Sequence, residues 1–85
     1  MAPRVTILLF ATARLAVGAS ELHWPVEPDG LPLGSLVRVL GRHYPKLAPI
    51  LPTCRFVLND TYVVSRATRV RPGDKFAVHP PYGGG

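Results

Sequence analysis

One apolar stripe near the middle of the chain constrains the fold more than any other feature of the sequence. The stripe consists of Leu33, Leu36, Val37, Leu40 and Tyr44. This spacing places all five side chains on one face of an α-helix. Pro32 suits the first helical turn and Pro45 ends the helix. We therefore predict one principal helix over residues 33–44, with the stripe in the core and Arg38 and Arg42 in solvent.

Ten prolines and eight glycines divide the rest of the chain into short segments. Runs rich in β-branched, aromatic and aliphatic residues predict strands at residues 5–10, 21–26, 55–58, 62–64 and 75–79. Pro25 cannot donate a backbone hydrogen bond, so the second strand should lie at a sheet edge. The first strand is apolar on both faces, which predicts a central strand covered on both sides or packed against a partner.

The remaining segments predict one short helix and three turns. Residues 11–17 are good helix formers and precede Gly18, a suitable helix-ending residue. Turns are predicted at residues 27–30, 59–60 and 72–74. The order is strand, short helix, strand, long helix and then three strands, which describes an α+β fold. One long helix across a mixed sheet, with the C-terminus leaving from a strand, is the β-grasp arrangement.

The length of 85 residues indicates one small domain without a roomy catalytic cleft. We assign residues 1–81 to this domain and residues 82–85 to an extended tail. The single cysteine, Cys54, suits a reducing compartment and is predicted to be a buried structural thiol. The three histidines show no metal-ligand spacing with it, and we assign no metal.

The N-terminus imitates a secretory signal, because Arg4 precedes an apolar run. Arg14 interrupts that run after a few residues, and removal of the segment would cost the domain one of its best strands. The run is also too short to span a bilayer. We expect a cytoplasmic protein without a membrane association.

The last seven residues are the most informative part of the chain for function. A predicted strand leads into Pro80 and Pro81, then Tyr82, and the chain closes with Gly83, Gly84 and Gly85. Prolines favour an extended exit, and glycines pass through a channel too narrow for side chains. Such a tail presents a terminal α-carboxylate, which is ionised at neutral pH. The plain alternative is a frayed chain end.

Three stretches carry a resemblance to a known family. These are Leu-Phe-Ala at residues 9–11 followed by Arg14 and Gly18, Val-Leu-Asn-Asp-Thr-Tyr-Val at residues 57–63, and VRPGDKFAVHPPYGGG at residues 70–85. The sequence resembles the small subunits of molybdopterin synthase, which are ubiquitin-like sulfur carriers. It departs from them at Gly83, where a side chain is usual, and at Lys75, where an acid is common.

This resemblance implies a function for the tail. A ubiquitin-activating-type enzyme would use ATP to adenylate Gly85, and sulfur would then replace one oxygen to give a thiocarboxylate (1-thioglycine). The tail would enter the large subunit of the synthase, within a heterotetramer, and donate sulfur to cyclic pyranopterin monophosphate. Gly85 would be the carrier, with Gly83, Gly84 and Tyr82 as the passage and Pro80 and Pro81 as the stiff exit. The resemblance implies no stably bound cofactor and no catalytic side chain in this chain.

Two other functions stay open at this stage. Related β-grasp carriers that end in Gly-Gly serve transfer-RNA thiolation or thiamine synthesis, or become attached to lysines. The second alternative rests on the net charge of +5. Between residues 38 and 71 the chain has seven basic residues and one acidic residue, Asp60. This excess of positive charge suits a module that binds RNA or another polyanion. We prefer a solvated basic face, because no nucleic-acid motif is present.

Overall fold

A computed structural model describes residues 3–81 and shows a five-stranded mixed sheet packed against one main helix. The strands are β1 (Arg4–Leu9), β2 (Glu21–Pro25), β3 (Leu31–Pro32), β4 (Arg55–Leu58), β5 (Thr61–Val63), β6 (Arg69–Val70) and β7 (Lys75–His79). The helices are α1 (Ala11–Val17), α2 (Leu33–His43) and a single 3₁₀ turn (Leu51–Thr53). The predicted α+β, β-grasp arrangement is confirmed.

The main sheet has the strand order β2-β1-β7-β4-β5. Strands β1 and β7 are parallel, and the other neighbours are antiparallel. Strand β2 lies at an edge, as Pro25 predicted. Strand β7, the last strand of the described residues, lies at the centre of the sheet and has a neighbouring strand on each side.

Helix α2 places its predicted stripe in the core. Leu33, Leu36, Val37 and Leu40 are buried, whereas Arg38 and Arg42 are exposed, and Tyr44 is half-buried just past the helix end. Beneath the helix, the rings of Phe56 and Phe76 stack with centroids 5.4 Å apart. The buried cluster joins α2 to the near face of the sheet, through residues that include Val5, Ile7, Leu9, Phe56, Phe76 and Val78.

The turns follow their predicted chemistry. Asn59 and Asp60 both have positive φ, at 49° and 70°, and form the two-residue connection between β4 and β5. This geometry suits a tight hairpin, and Asn and Asp tolerate it better than most residues. Gly18 ends α1 with φ 85°, and Gly73 has φ 89° in the turn before β7.

A second, two-stranded sheet was not predicted. Strand β3 pairs with β6 through Leu31–Val70 and Pro32–Arg69. Just after β3, the backbone N–H groups of Leu33 and Gly34 donate to carbonyls of residues 68 and 66, at 2.8 and 2.9 Å. The free N–H groups of the first turn of α2 are therefore partly satisfied by a distant segment, in place of a side-chain cap.

Strand β1 differs from its prediction in extent and in cover. It spans residues 4–9 rather than 5–10, because Phe10 turns out of the strand before α1. Val5, Ile7 and Leu9 are buried on the helix side. On the opposite side, Leu8 is half-buried and Phe10 is 42% exposed. Cover on both sides is not found within the described residues, and the other predicted possibility, packing of the far side against a partner, stays a prediction.

Candidate functional site: the exit of the C-terminal tail

Strand β7 ends at one end of the sheet, where its two neighbours also have no further strand residues. His79, the last residue of β7, lies opposite Arg55, the first residue of β4. On the other side, β1 ends at Leu9, and the backbone N–H of Phe10 donates to the Val78 carbonyl at 3.3 Å. No further strand residues are available on either side, so the chain must depart from the sheet here.

Pro80 and Pro81 come directly after β7, and their role as the stiff exit of the tail stays a prediction. Pro80 is half-buried and Pro81 is exposed. Neither has a backbone N–H to continue the ladder, and both have fixed φ. Residues 82–85, which contain the predicted passage Tyr82, Gly83 and Gly84 and the predicted carrier Gly85, lie outside the described residues. Their roles stay predictions.

An aromatic stack borders the exit. The rings of Phe10 and His79 are nearly parallel, with centroids 4.4 Å apart and an interplanar angle of 8°. Offset aromatic stacking stabilises such a pair beyond the area it buries. The stack joins the residue just past β1 to the last residue of β7, so it braces the root of the tail. The apolar run of residues 5–10 predicted Phe10 inside a strand, and no feature of the sequence indicated this contact.

An apolar row crosses the sheet beside the stack, on the side away from α2. Register places Leu8 beside Ala77, Ala77 beside Val57, and Val57 beside Tyr62. Tyr62 is 68% exposed, Leu8 and Val57 are half-buried, and Ala77 at the centre of the row is only 8% exposed. We call this surface the open face, and define it by Leu8, Phe10, Val57, Tyr62, Ala77 and His79. The apolar pattern on both sides of β1 was the sequence signal for it.

Basic side chains flank the open face. Lys75 lies two residues before Ala77 in β7 and therefore on the same side of the sheet, and Arg55 lies beside His79. Both are exposed. The open face thus combines a central apolar row with exposed charges of both signs at its border, because Glu21 lies beside Leu8 on the same side of the sheet.

Cys54 follows the 3₁₀ turn (Leu51–Thr53) and is half-buried. Burial raises the pKa of the Cys54 thiol above its ordinary value, because the apolar surroundings disfavour the thiolate. Its Sγ donates to the Ile50 carbonyl at 3.3 Å. Cys54 is half-buried rather than fully buried, and its raised pKa fits the predicted structural thiol.

Within residues 3–81, His, Cys, Asp and Glu side chains nowhere gather in threes at a distance that would hold a metal ion. Neither helix in this range is long and apolar enough to cross a bilayer.

Comparison with known proteins decides the family. The model of the ThiS family matches residues 7–85. The chain belongs to the ThiS family. The match covers the whole of the sheet beyond the start of β1, and it includes the tail residues 82–85.

Three known proteins are similar to this ThiS-family chain over nearly its full length. A molybdopterin synthase sulfur carrier subunit from Chlamydomonas reinhardtii is 29% identical over 83 residues, which is 96% of this chain and 99% of that protein. The small archaeal modifier protein 1 from Methanosarcina acetivorans has a TM-score of 0.80 at 20% identity, covering 100% of this chain and 99% of that one. A complex of subunits 1 and 2 of molybdopterin-converting factor from Helicobacter pylori contains a chain with a TM-score of 0.67 at 22% identity, covering 96% and 99%.

These likenesses confirm the family predicted from the sequence, and the two structures confirm its fold. The same fold occurs in a modifier protein and in a subunit of molybdopterin-converting factor. The fold by itself therefore does not distinguish between these two kinds of protein.

Proposed function

We propose that this ThiS-family chain is the sulfur carrier subunit of a molybdopterin synthase, with Gly85 as the sulfur-bearing residue. The observation that carries the proposal is the match to the Chlamydomonas sulfur carrier subunit, which spans 99% of that protein. The family match, which continues to residue 85, supports a role for the tail as well as for the domain.

The proposed chemistry takes place at the terminal carboxylate. A carboxylate oxygen of Gly85 attacks the α-phosphorus of ATP on an activating enzyme, and pyrophosphate leaves. Sulfide, or a sulfur donor equivalent to it, then attacks the acyl carbon and displaces AMP, which leaves a thiocarboxylate. Adenylation supplies the good leaving group, so the carrier needs no nucleophile or general base of its own. ATP is a substrate of the activating partner, and we propose no stably bound cofactor here.

The geometry of the tail root suits delivery to two different active sites. Strand β7 is held on both sides by β1 and β4, and the Phe10–His79 stack braces its last residue. Pro80 and Pro81 then direct the chain away from the sheet. A rigid root restricts the directions that the tail samples and so reduces the entropy lost when a narrow channel takes it up.

The proposed partners dock on the open face. Exposed Tyr62 and Phe10 are the large aromatic side chains that dominate binding energy at protein interfaces. We propose two such partners, the large subunit of the synthase in a heterotetramer and a ubiquitin-activating-type adenylyltransferase. Both would work in the cytoplasm, where thiols stay reduced. Both would need the tail to start beside their contact surface, and His79, at the end of β7, belongs to the open face.

The decisive experiment is intact-mass spectrometry of the full chain after incubation with ATP, sulfide and a ubiquitin-type activating enzyme. We expect a mass gain equal to replacing oxygen by sulfur, mapped to Gly85. A chain lacking Gly84 and Gly85 is the control; it should fold normally and gain nothing. No mass change in the full chain, with an activating enzyme shown to charge its own carrier, would overturn the carrier proposal.

A second experiment tests the recipient. The charged chain is mixed with a molybdopterin synthase large subunit and cyclic pyranopterin monophosphate, and molybdopterin is measured after oxidation to its fluorescent derivative. We expect molybdopterin to form and the thiocarboxylate to disappear from the chain in the same reaction. Stable adducts with lysines, or sulfur transfer to transfer RNA in parallel reactions without molybdopterin formation, would refute the molybdopterin assignment while retaining the carrier.

The docking surface has its own matched variants. Phe10→Ala and Tyr62→Ala should each weaken binding to the large subunit by about tenfold or more. Leu15→Ala is the control, because Leu15 is 76% exposed but lies on α1, outside the open face. Binding to the large subunit is measured by calorimetry. If Phe10→Ala and Tyr62→Ala bind as tightly as the control Leu15→Ala, the partners dock elsewhere.

A further inference from the structure

An apolar groove lies on the helix side of the molecule, between α2 and the segment that connects it to β4. Its volume is about 380 Å³, which falls within the usual size of ligand clefts, roughly 300–1,000 Å³. The apolar part of its lining consists of Val37, Gly41, Ala48, Leu51 and Pro52. Val37 and Leu51 are nearly buried, whereas Ala48 and Pro52 are exposed, so the groove is open to solvent.

Three arginines complete the lining of this groove: Arg38, Arg42 and Arg66. All three are exposed, and within the described residues none of them forms a salt bridge. Grouped positive charges without counter-charges repel one another, so an anionic ligand at this place would be attracted by all three.

The rim is held in position by the fold. Arg38 and Arg42 lie one turn apart on α2. Arg66 is tied to the start of that helix, because its carbonyl accepts from the Gly34 N–H at 2.9 Å. Its guanidinium carbon lies 5.0 Å from the centroid of the Phe56 ring, at cation–π distance. The groove therefore presents its charges from a fixed backbone frame.

The groove is separate from the proposed tail site. Helix α2 packs on the buried side of the sheet, and the open face is the opposite side. No residue of the groove belongs to the open face or to the tail root. A protein bound in the groove would leave the open face and the tail exit free.

We infer that this groove binds an acidic segment of a partner protein, with an aliphatic side chain on the apolar floor and carboxylates at the arginine rim. Guanidinium groups pair with carboxylates through two parallel hydrogen bonds, which gives such contacts direction as well as charge. The inference goes beyond the proposed function, because it adds a second binding surface. That surface would let another protein hold the carrier while its tail is engaged.

The lining favours a peptide over a nucleic acid. Proteins that bind single-stranded nucleic acids stack bases on aromatic rings along a basic channel. The lining of this groove contains aliphatic residues and glycine but no aromatic residue. An aliphatic floor suits an aliphatic side chain, and the basic rim then selects an acidic sequence around it.

The test uses the full chain and a fluorescein-labelled peptide in which two leucines are separated and flanked by glutamates. Binding is followed by fluorescence anisotropy, and the contact surface is mapped by amide chemical shifts. We expect saturable binding that weakens with salt, with shifts concentrated at Val37, Gly41 and Ala48. The double variant Arg38→Glu/Arg42→Glu should lose about tenfold or more in affinity.

A second double variant, Arg4→Glu/Arg14→Glu, is the matched control. It changes the net charge equally, its residues do not line the groove, and Arg14 occupies the last turn of α1 as Arg42 does in α2. It should retain most of the affinity, and both variants are checked for folding by circular dichroism. The proposal is overturned by equal losses in the two variants, by no saturable binding, or by equal binding of a peptide with glycine in place of leucine. Tighter binding of a single-stranded RNA oligonucleotide in the same groove would also overturn it.

Discussion

Asn59 and Asp74 join two turns that lie 15 residues apart in the sequence. The Asn59 side-chain amide donates to Asp74 Oδ1 at 2.9 Å, and its oxygen accepts from the Lys75 backbone N–H, also at 2.9 Å. Asp74 Oδ2 in turn accepts from the Arg71 backbone N–H at 2.7 Å. The β4–β5 hairpin turn is thereby fastened to the first residue of β7, the strand that carries the tail.

Asn59→Gly should lower the free energy of unfolding by about 1–2 kcal/mol, because it removes two side-chain hydrogen bonds at an exposed position. Asn59→Ala should cost about 1 kcal/mol more, since alanine at φ 49° is strained whereas glycine is not. Urea unfolding of both variants measures the difference. Equal stabilities for the two variants would show that the backbone conformation of this turn relaxes at little cost.

Gly30→Ala should be strongly destabilising, by at least about 2 kcal/mol, because strain at positive φ and a steric clash act together. A Cβ at this position would lie 2.1 Å from the Val70 carbonyl oxygen, and φ is +77°. Gly73→Ala is the matched control: its φ is +89°, but a Cβ there meets nothing within 4 Å. Thermal unfolding should separate the two variants clearly. A Gly30→Ala protein as stable as Gly73→Ala would mean that β3 and β6 are not closely paired.

Leu40→Ala should lower the free energy of unfolding by roughly 2–5 kcal/mol, because it opens a cavity in the centre of the core. Leu40 is fully buried, whereas its neighbour Val39 is 37% exposed on the same helix. Val39→Ala should therefore change stability by no more than about 0.5 kcal/mol. Denaturant titration of both variants measures the two changes in stability. Similar values would show that the buried face of the helix has been assigned to the wrong residues.

The thiol of Cys54 should make the free energy of unfolding depend on pH in the alkaline range. Burial raises the folded-state pKa above the ordinary value of 9.0, so above that value the unfolded chain loses its thiol proton before the folded chain does. The folded state then binds more protons than the unfolded state, and this contribution to stability falls as pH rises through the folded-state pKa. Chemical unfolding of the wild type and Cys54→Ala between neutral and strongly alkaline pH measures it. The wild type should lose stability more steeply; parallel curves would contradict the prediction.

The elements that could be predicted before the structure are those whose signals are local. The stripe of α2 repeats at helical spacing, and the Asn59-Asp60 pair and Gly73 have the backbone preferences that their turns require. Pro25 indicated an edge strand because a missing N–H is a property of the residue alone. The ending of the chain, from the turn before β7 to Gly85, was specific enough to indicate the family.

The contacts between distant segments could not be predicted and became visible only in the folded chain. Strands β3 and β6 have two residues each, too few to show any periodicity, and they pair across almost 40 residues. The Phe10–His79 stack, the carbonyls that satisfy the start of α2, and the groove rim shared by Arg42 and Arg66 depend on the same assembly. Such contacts arise when the core brings separate elements together, and no single stretch of sequence encodes them.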